Sequence, residues 1–174
     1  MEKKYLKKSW ISEKLEVRSS ILHGLGVFTK SHIAKGEIVI IWGGEIVSVQ
    51  EFKQGMGLRY TNVGIGEDKY MVSLVEENRG IDDFMNHSCK PNLWLDDEVT
   101  LSAMIDIHAD EELTFDYVME TVDENYVMQN PCYCNSENCR NIITGKDWMR
   151  TDVQARYLNH FSPFLNQRII RGMK

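Results

Sequence analysis

No apolar run in this chain of 174 residues approaches the roughly 20 needed to span a bilayer, so no membrane-crossing helix is expected. The opening stretch MEKKYLKKSWISEK is basic but has no apolar core behind it, so no secretory signal is expected either. Positive charge is also short: 20 Lys and Arg against 26 Asp and Glu leave a net charge of -6. That sign argues against direct nucleic-acid binding, because phosphate contacts need a basic surface. It suits a basic protein or peptide partner, and equally a surface that only keeps the chain in solution. Cysteine is scarce, with 4 in the chain. In a cytoplasmic or nuclear setting thiols stay reduced, so metal ligands or plain buried thiols are expected ahead of disulfides.

Helical periodicity is scarce before residue 145, and there is neither an internal repeat nor a low-complexity tract. What is present is strand pattern. The stretches LEVRSS, GVFTKSHIAKGEIVIIWGGEIVS, RYTNVG, KYMVSLV, VTLSAMID and EELTFDYV alternate or run in short β-branched blocks, cut by glycines. They predict a mainly β domain of short strands and tight turns. The first fourteen residues carry five lysines and read as a solvated or weakly ordered lead-in. Near the other end, TDVQARYLNHF places Val153, Tyr157 and Phe161 at helical spacing and meets a Ser-Pro stop, which predicts a short helical tail. The tail aromatics Trp148, Tyr157, Phe161 and Phe164 are expected to pack, or one of them to cover a groove. The chain divides into a lead-in over 1–14, a β domain over 15–118, a cysteine-rich segment over 119–143 and the tail over 144–174.

The stretch PCYCNSENCRN holds Cys132, Cys134 and Cys139 within eight residues. Tetrahedral zinc takes four thiolates or imidazoles, and closely spaced cysteines supply several at little entropic cost. Cys89, in FMNHSCKPNLWL, is the remaining cysteine and completes an all-thiolate set. Such a site would close a long loop, where a clip constrains much chain entropy. His87 or His108 as fourth ligand competes with this reading, as do four unrelated buried thiols.

The motifs NHSCKPN, DEELTFDY and CYCNSENCR follow HGLGVFTKSHIAKGEIVIIWGGEIVS, and in that order they resemble the SET-domain protein lysine methyltransferases with a post-SET zinc segment. The resemblance covers about residues 15–143 and leaves out the last thirty. It implies small sheets and a pseudoknot, in which the FDY segment threads past the loop carrying NHSC. It implies S-adenosylmethionine on one face, held by the Gly24-Leu25-Gly26 turn, Tyr60, Asn86 and His87. It implies a narrow channel on the other face for a lysine of a protein substrate. Tyr117 matches the tyrosine at the transfer site and Phe115 the position that sets the number of methyl groups. Trp42 stands where a channel tyrosine is usual, and Asp83 where an arginine is usual. Residues 1–14 hold no cysteine, so a cysteine-rich pre-SET segment is not expected there. A zinc-stabilised interaction module that has lost catalysis is the alternative, favoured by Trp42 and Asp83.

The residues also carry plainer readings. Phe115 and Tyr117 alternate as core residues of a strand do, and Asn86-His87 has the makings of an ordinary turn. The implied chemistry sets its own demands. A lysine amine, with pKa about 10.4, is protonated at neutral pH, and burial favours its neutral form. A phenol with pKa about 10 serves as an orienting group rather than a base, which is the role expected of Tyr117. Phe115 leaves room for di- or trimethylation.

Overall fold

Residues 3–172 are described by the computed structural model. The strands, in chain order, begin with β1 (Trp10–Ile11), β2 (Leu15–Ser19), β3 (Leu25–Thr29), β4 (Ile38–Ile41) and β5 (Glu45–Ser48). After helix α1 (Val49–Lys53) come β6 (Val63–Gly66), β7 (Lys69–Val72), β8 (Asn86–His87), β9 (Leu93–Leu95), β10 (Thr100–Ala103) and β11 (Glu112–Phe115). They form three small sheets, of order β1-β4-β10-β9, β2-β3-β11-β8 and β5-β7-β6. Strand accounts for 28% of the chain against 19% for helix, so the mainly β expectation holds. Within the second sheet β11 runs antiparallel to β3 but parallel to β8, with Phe115 opposite His87. A parallel pair needs a long crossover. Here the crossover carries β9 and β10 through the first sheet.

Helix α1 starts on a capping box, a signal that Ser48 and Glu51 carry in the sequence. The Glu51 N–H donates to the Ser48 hydroxyl at 3.2 Å, and the Ser48 N–H donates to the Glu51 carboxylate at 2.7 Å.

Four expectations are corrected. In RYTNVG the strand begins at Val63, because Tyr60 sits in the left-handed region at φ 67° and breaks the extended run. In EELTFDYV the strand stops at Phe115, so Tyr117 does not share a strand with it. Asp116 accepts from the Val118 N–H at 3.2 Å and turns the chain into a 3-10 turn at Tyr117–Met119. In TDVQARYLNHF the helix α2 covers only Thr151–Arg156. Ser162-Pro163 opens a helix, α3 (Pro163–Ile170), instead of stopping one, since a proline in the first turn lacks a donor that would be unused there. Finally, the lead-in is docked: Trp10 and Ile11 pair with Ile41 and Ile40 at a sheet edge. Its Tyr5 hydroxyl donates to Glu98 at 2.8 Å. Met1 and Glu2 of the lead-in, and Met173 and Lys174 of the tail, lie outside the described residues.

The tail aromatics pack, as expected. Trp148, Tyr157, Phe161 and Phe164 are all buried in the same apolar core as Val39, Leu101 and Leu113. Burying a large apolar side chain contributes roughly 1.5–3 kcal/mol, so the tail is a wall of the domain rather than an appendage.

Candidate active site and thiol cluster

The third sheet, the β8–β11 pair and the segment after β11 enclose a cavity of about 600 Å³. Gly24, Leu25, Trp42, Tyr60, Asn86, His87, Phe115 and Tyr117 all line it, although they come from distant points of the chain. Of the residues expected at the cofactor or transfer site, Gly26 alone is set back from the wall. Its role is visible in the packing. A Cβ there would fall 2.2 Å from Glu112 Oε1 and 3.0 Å from Asn86 Nδ2. Gly24 answers a different need, a φ of 50° that side chains rarely adopt.

Asn86 fixes this turn. Its Nδ2 donates to the Leu25 carbonyl at 2.9 Å and to Glu112 Oε1 at 2.8 Å, with the His23 carbonyl at 3.2 Å. The parallel pairing of β8 with β11 is what sets Asn86 beside Thr114 and His87 beside Phe115. His87 is buried and held neutral, its pKa lowered to about 4 by burial in spite of the Asp116 carboxylate. The Tyr117 N–H donates to its Nδ1 at 3.4 Å, leaving Nε2 to face Cys89 Sγ at 3.4 Å.

At the other end of the cavity the Tyr117 hydroxyl donates to the Met85 carbonyl at 2.7 Å. Burial, reinforced by the nearby Tyr126 and Glu120 side chains, holds this phenol above its ordinary range, so it is neutral at pH 7. Trp42 meets Phe115 edge to face, with ring centroids 5.7 Å apart. Tyr60 stands at the rim, 73% exposed, with its hydroxyl 3.4 Å from Gln129 Oε1. Asp83 also lines the cavity, where it accepts from the Gly80 N–H at 3.0 Å and caps the turn before β8.

The four sulfur atoms of Cys89, Cys132, Cys134 and Cys139 lie within 4.8 Å of one another. Sulfurs around tetrahedral zinc at about 2.3 Å stand about 3.8 Å apart, and the Cys89–Cys132 separation is 3.9 Å. The Arg140 N–H points at Cys89 Sγ at 3.4 Å, a donor suited to a thiolate. Burial pushes the free Cys89 thiol up to about 11, a cost that a divalent cation would reverse. His108 is not part of this group of ligand atoms; its ring lies 6.1 Å from that of His32.

A buried charge cluster escaped the sequence reading. Asp116, fully buried, accepts from Arg140 Nη1 at 2.9 Å and Nη2 at 2.7 Å, and from the Tyr157 hydroxyl at 2.9 Å. Arg140 Nε also faces Asp147 at 2.9 Å. Thus the cysteine-rich segment, the tail and the residue before Tyr117 meet at one carboxylate. Glu112 and Glu120 were likewise missed. Single acids and a lone arginine carry no periodicity; Glu112, Asp116 and Arg140 at least fall inside the quoted motifs, whereas Glu120 and Asp147 lie outside them and gave no signal.

Fold and site together define a threaded β domain with one deep polar-aromatic cavity and a four-thiol cluster at its lip. The family model of the SET domain matches residues 24–118, and the chain belongs to the SET-domain family. It is 35% identical over 135 residues to Histone-lysine N-methyltransferase ash1 of Drosophila melanogaster, covering 71% of this chain and 6% of that protein. It is 30% identical over 145 residues to Histone-lysine N-methyltransferase, H3 lysine-36 specific, of Yarrowia lipolytica, covering 76% and 18%. The chain therefore spans less than a fifth of the length of these relatives. Among solved structures it resembles Arabidopsis thaliana SUVH6 in complex with SAM, with TM-score 0.62 and 20% identity over 76% of this chain and 33% of that one. The likeness is one of fold. No helix among the described residues is long and apolar enough to cross a membrane.

Proposed function

We propose that this chain transfers a methyl group from S-adenosylmethionine to the side-chain amine of lysine in a protein. The observation that carries the reading is the convergence on one cavity of eight residues separately expected at the cofactor and transfer sites. The Gly24-Leu25-Gly26 turn, Tyr60, Asn86 and His87 hold the cofactor, with Gly26 acting through the Asn86–Glu112 contacts beneath the turn. Bound S-adenosylmethionine supplies an activated methyl group to that cavity. Tyr117, a neutral phenol anchored on Met85, orients the amine, while Phe115 and Trp42 wall the channel and exclude water. Cys89, Cys132, Cys134 and Cys139 hold one structural zinc ion, for which their spacing is suited.

The relatives named above act on histones, and a basic lysine-rich substrate complements the net charge of -6. We therefore assign histone-like tails as the substrate class, reached in the nucleus or the cytoplasm, where the thiols stay reduced. Neither direct nucleic-acid contact nor a membrane enters this reading. Calorimetric titration of S-adenosylmethionine, with zinc content measured on the same sample, tests it. Micromolar binding lost in Asn86→Ala, with one zinc per chain, is expected. Absence of binding in a zinc-loaded protein would leave the interaction-module reading in its place.

A further inference from the structure

Three carboxyls line the cavity, and two of them have other duties. Asp82 accepts from the Ser9 hydroxyl at 2.6 Å, and Asp83 caps its own turn. Glu120 is different. It ends the turn that Tyr117 begins, and its backbone N–H donates to the Tyr117 carbonyl at 3.3 Å. The Gly64 N–H donates to Glu120 Oε2 at 2.5 Å, which fixes the carboxyl against β6. Among the described residues nothing donates to Oε1, and no Lys or Arg pairs with the group.

Three phenols share the cavity wall with it: Tyr70 of β7, Tyr117 of its own turn, and Tyr126 of the cysteine-rich segment. Asp123, the remaining acid nearby, is paired with Lys53 at 2.8 Å. Burial raises all three phenols, Tyr126 to about 12, so none can take a proton near neutral pH. Burial also raises the Glu120 carboxyl from 4.5 to about 7, the range in which a group both ionises and accepts a proton.

We propose that Glu120 is the proton acceptor for the substrate lysine, its carboxylate receiving the ammonium group in the cavity and removing one proton before transfer. This rests on the reading of the cavity as a methyl-transfer site. The proton passes from the ammonium to the Glu120 carboxylate, leaving a neutral amine and a carboxylic acid. The freed lone pair forms the nitrogen–carbon bond as the sulfonium–methyl bond breaks, so the positive charge moves to nitrogen and a neutral thioether leaves. Glu120 then returns its proton to solvent and is ready for a second methylation.

The test begins without turnover. A randomised lysine-peptide library is titrated into protein saturated with S-adenosylhomocysteine between about pH 6 and about pH 8. Wild-type affinity should rise about tenfold as a carboxyl near 7 ionises, whereas Glu120→Gln should bind about tenfold more weakly at the upper pH and show no rise. Turnover of the same library should fall about 100-fold in Glu120→Gln near pH 7 and recover towards pH 10, where the ammonium loses its proton to solvent unaided. Glutamine can still accept from Gly64, and wild-type cofactor affinity in the variant certifies its fold. If the variant does not fold, the wild-type profile decides, and a flat peptide affinity overturns the inference. Unchanged binding and rate profiles in a folded variant overturn it while leaving the transfer reading intact. A wild-type protein that methylates no library member overturns the transfer reading and this inference with it.

Discussion

Tyr117 is oriented before any substrate arrives, because its hydroxyl is already committed to the Met85 carbonyl. Removing that hydroxyl in Tyr117→Phe should cut labelled-methyl turnover by about 100-fold, in the range of a lost active-site donor, while cofactor affinity by calorimetry changes little. Phe115→Tyr adds a hydroxyl beside Trp42, and mass spectrometry should show products shifted towards monomethyl-lysine. An unchanged product pattern would mean that this position does not set the number of methyl groups. Glu120 makes the residue scale visible in stability as well. Its carboxyl is raised from 4.5 to about 7 in the folded chain, so the fold retains a proton that the unfolded chain has lost. That stabilisation is complete below about pH 4.5 and disappears as pH rises through 7. The melting temperature of the cofactor-free protein should fall between pH 5 and pH 8, and Glu120→Gln should flatten the fall. Asn86, His87, Phe115 and Tyr117 were singled out by the resemblance of NHSCKPN and DEELTFDY to the SET-domain family, not by their own pattern. Glu120 was not, since its meaning lies in what surrounds it.

At the scale of elements, three segments are fastened to Asp116. The Tyr157 hydroxyl, from just beyond α2, is one of its three strong donors. Tyr157→Phe keeps the packing and removes the bond, leaving a buried carboxylate short of a partner. The expected cost is about 1–2 kcal/mol, seen as a melting temperature lower by about 2–6 °C. Asp116→Asn should cost more, about 3–5 kcal/mol, because it strands the Arg140 guanidinium beside Asp147 alone. A smaller loss in Asp116→Asn than in Tyr157→Phe would show that the carboxylate is not the hub. The strands around this hub were largely legible, since alternation in LEVRSS and VTLSAMID survives in β2 and β10. Element ends were not. Phe115 and Tyr117 look like neighbours on one strand until a side-chain cap at Asp116 bends the chain between them.

For the molecule as a whole, the thiol cluster ties two remote segments, Cys89 and the stretch from Cys132 to Cys139, beside the cavity that Cys132 helps to line. Chelation of the proposed zinc should therefore release residues 119–143, speed their amide exchange and weaken cofactor binding together. Full affinity after chelation would mean that the clip and the cavity are independent. Three members of the cluster were legible from cysteine spacing, and Cys89 from being the remaining cysteine. That the lead-in closes a sheet edge and the tail forms a core wall was not, because pairing and burial at long range leave no local pattern.

The parallel register of Phe115 with His87 has a kinetic side. Two strands separated by a long crossover pair only when distant parts of the chain meet, so the wall of the cavity that carries Asn86, His87 and Phe115 cannot assemble locally. Folding dominated by such distant pairings is slow, on the order of milliseconds to seconds. After dilution from denaturant, tryptophan fluorescence, metal uptake and ligand binding should return at a single rate. A nascent chain would lack the β8–β11 wall until residues as far on as Phe115 had been made.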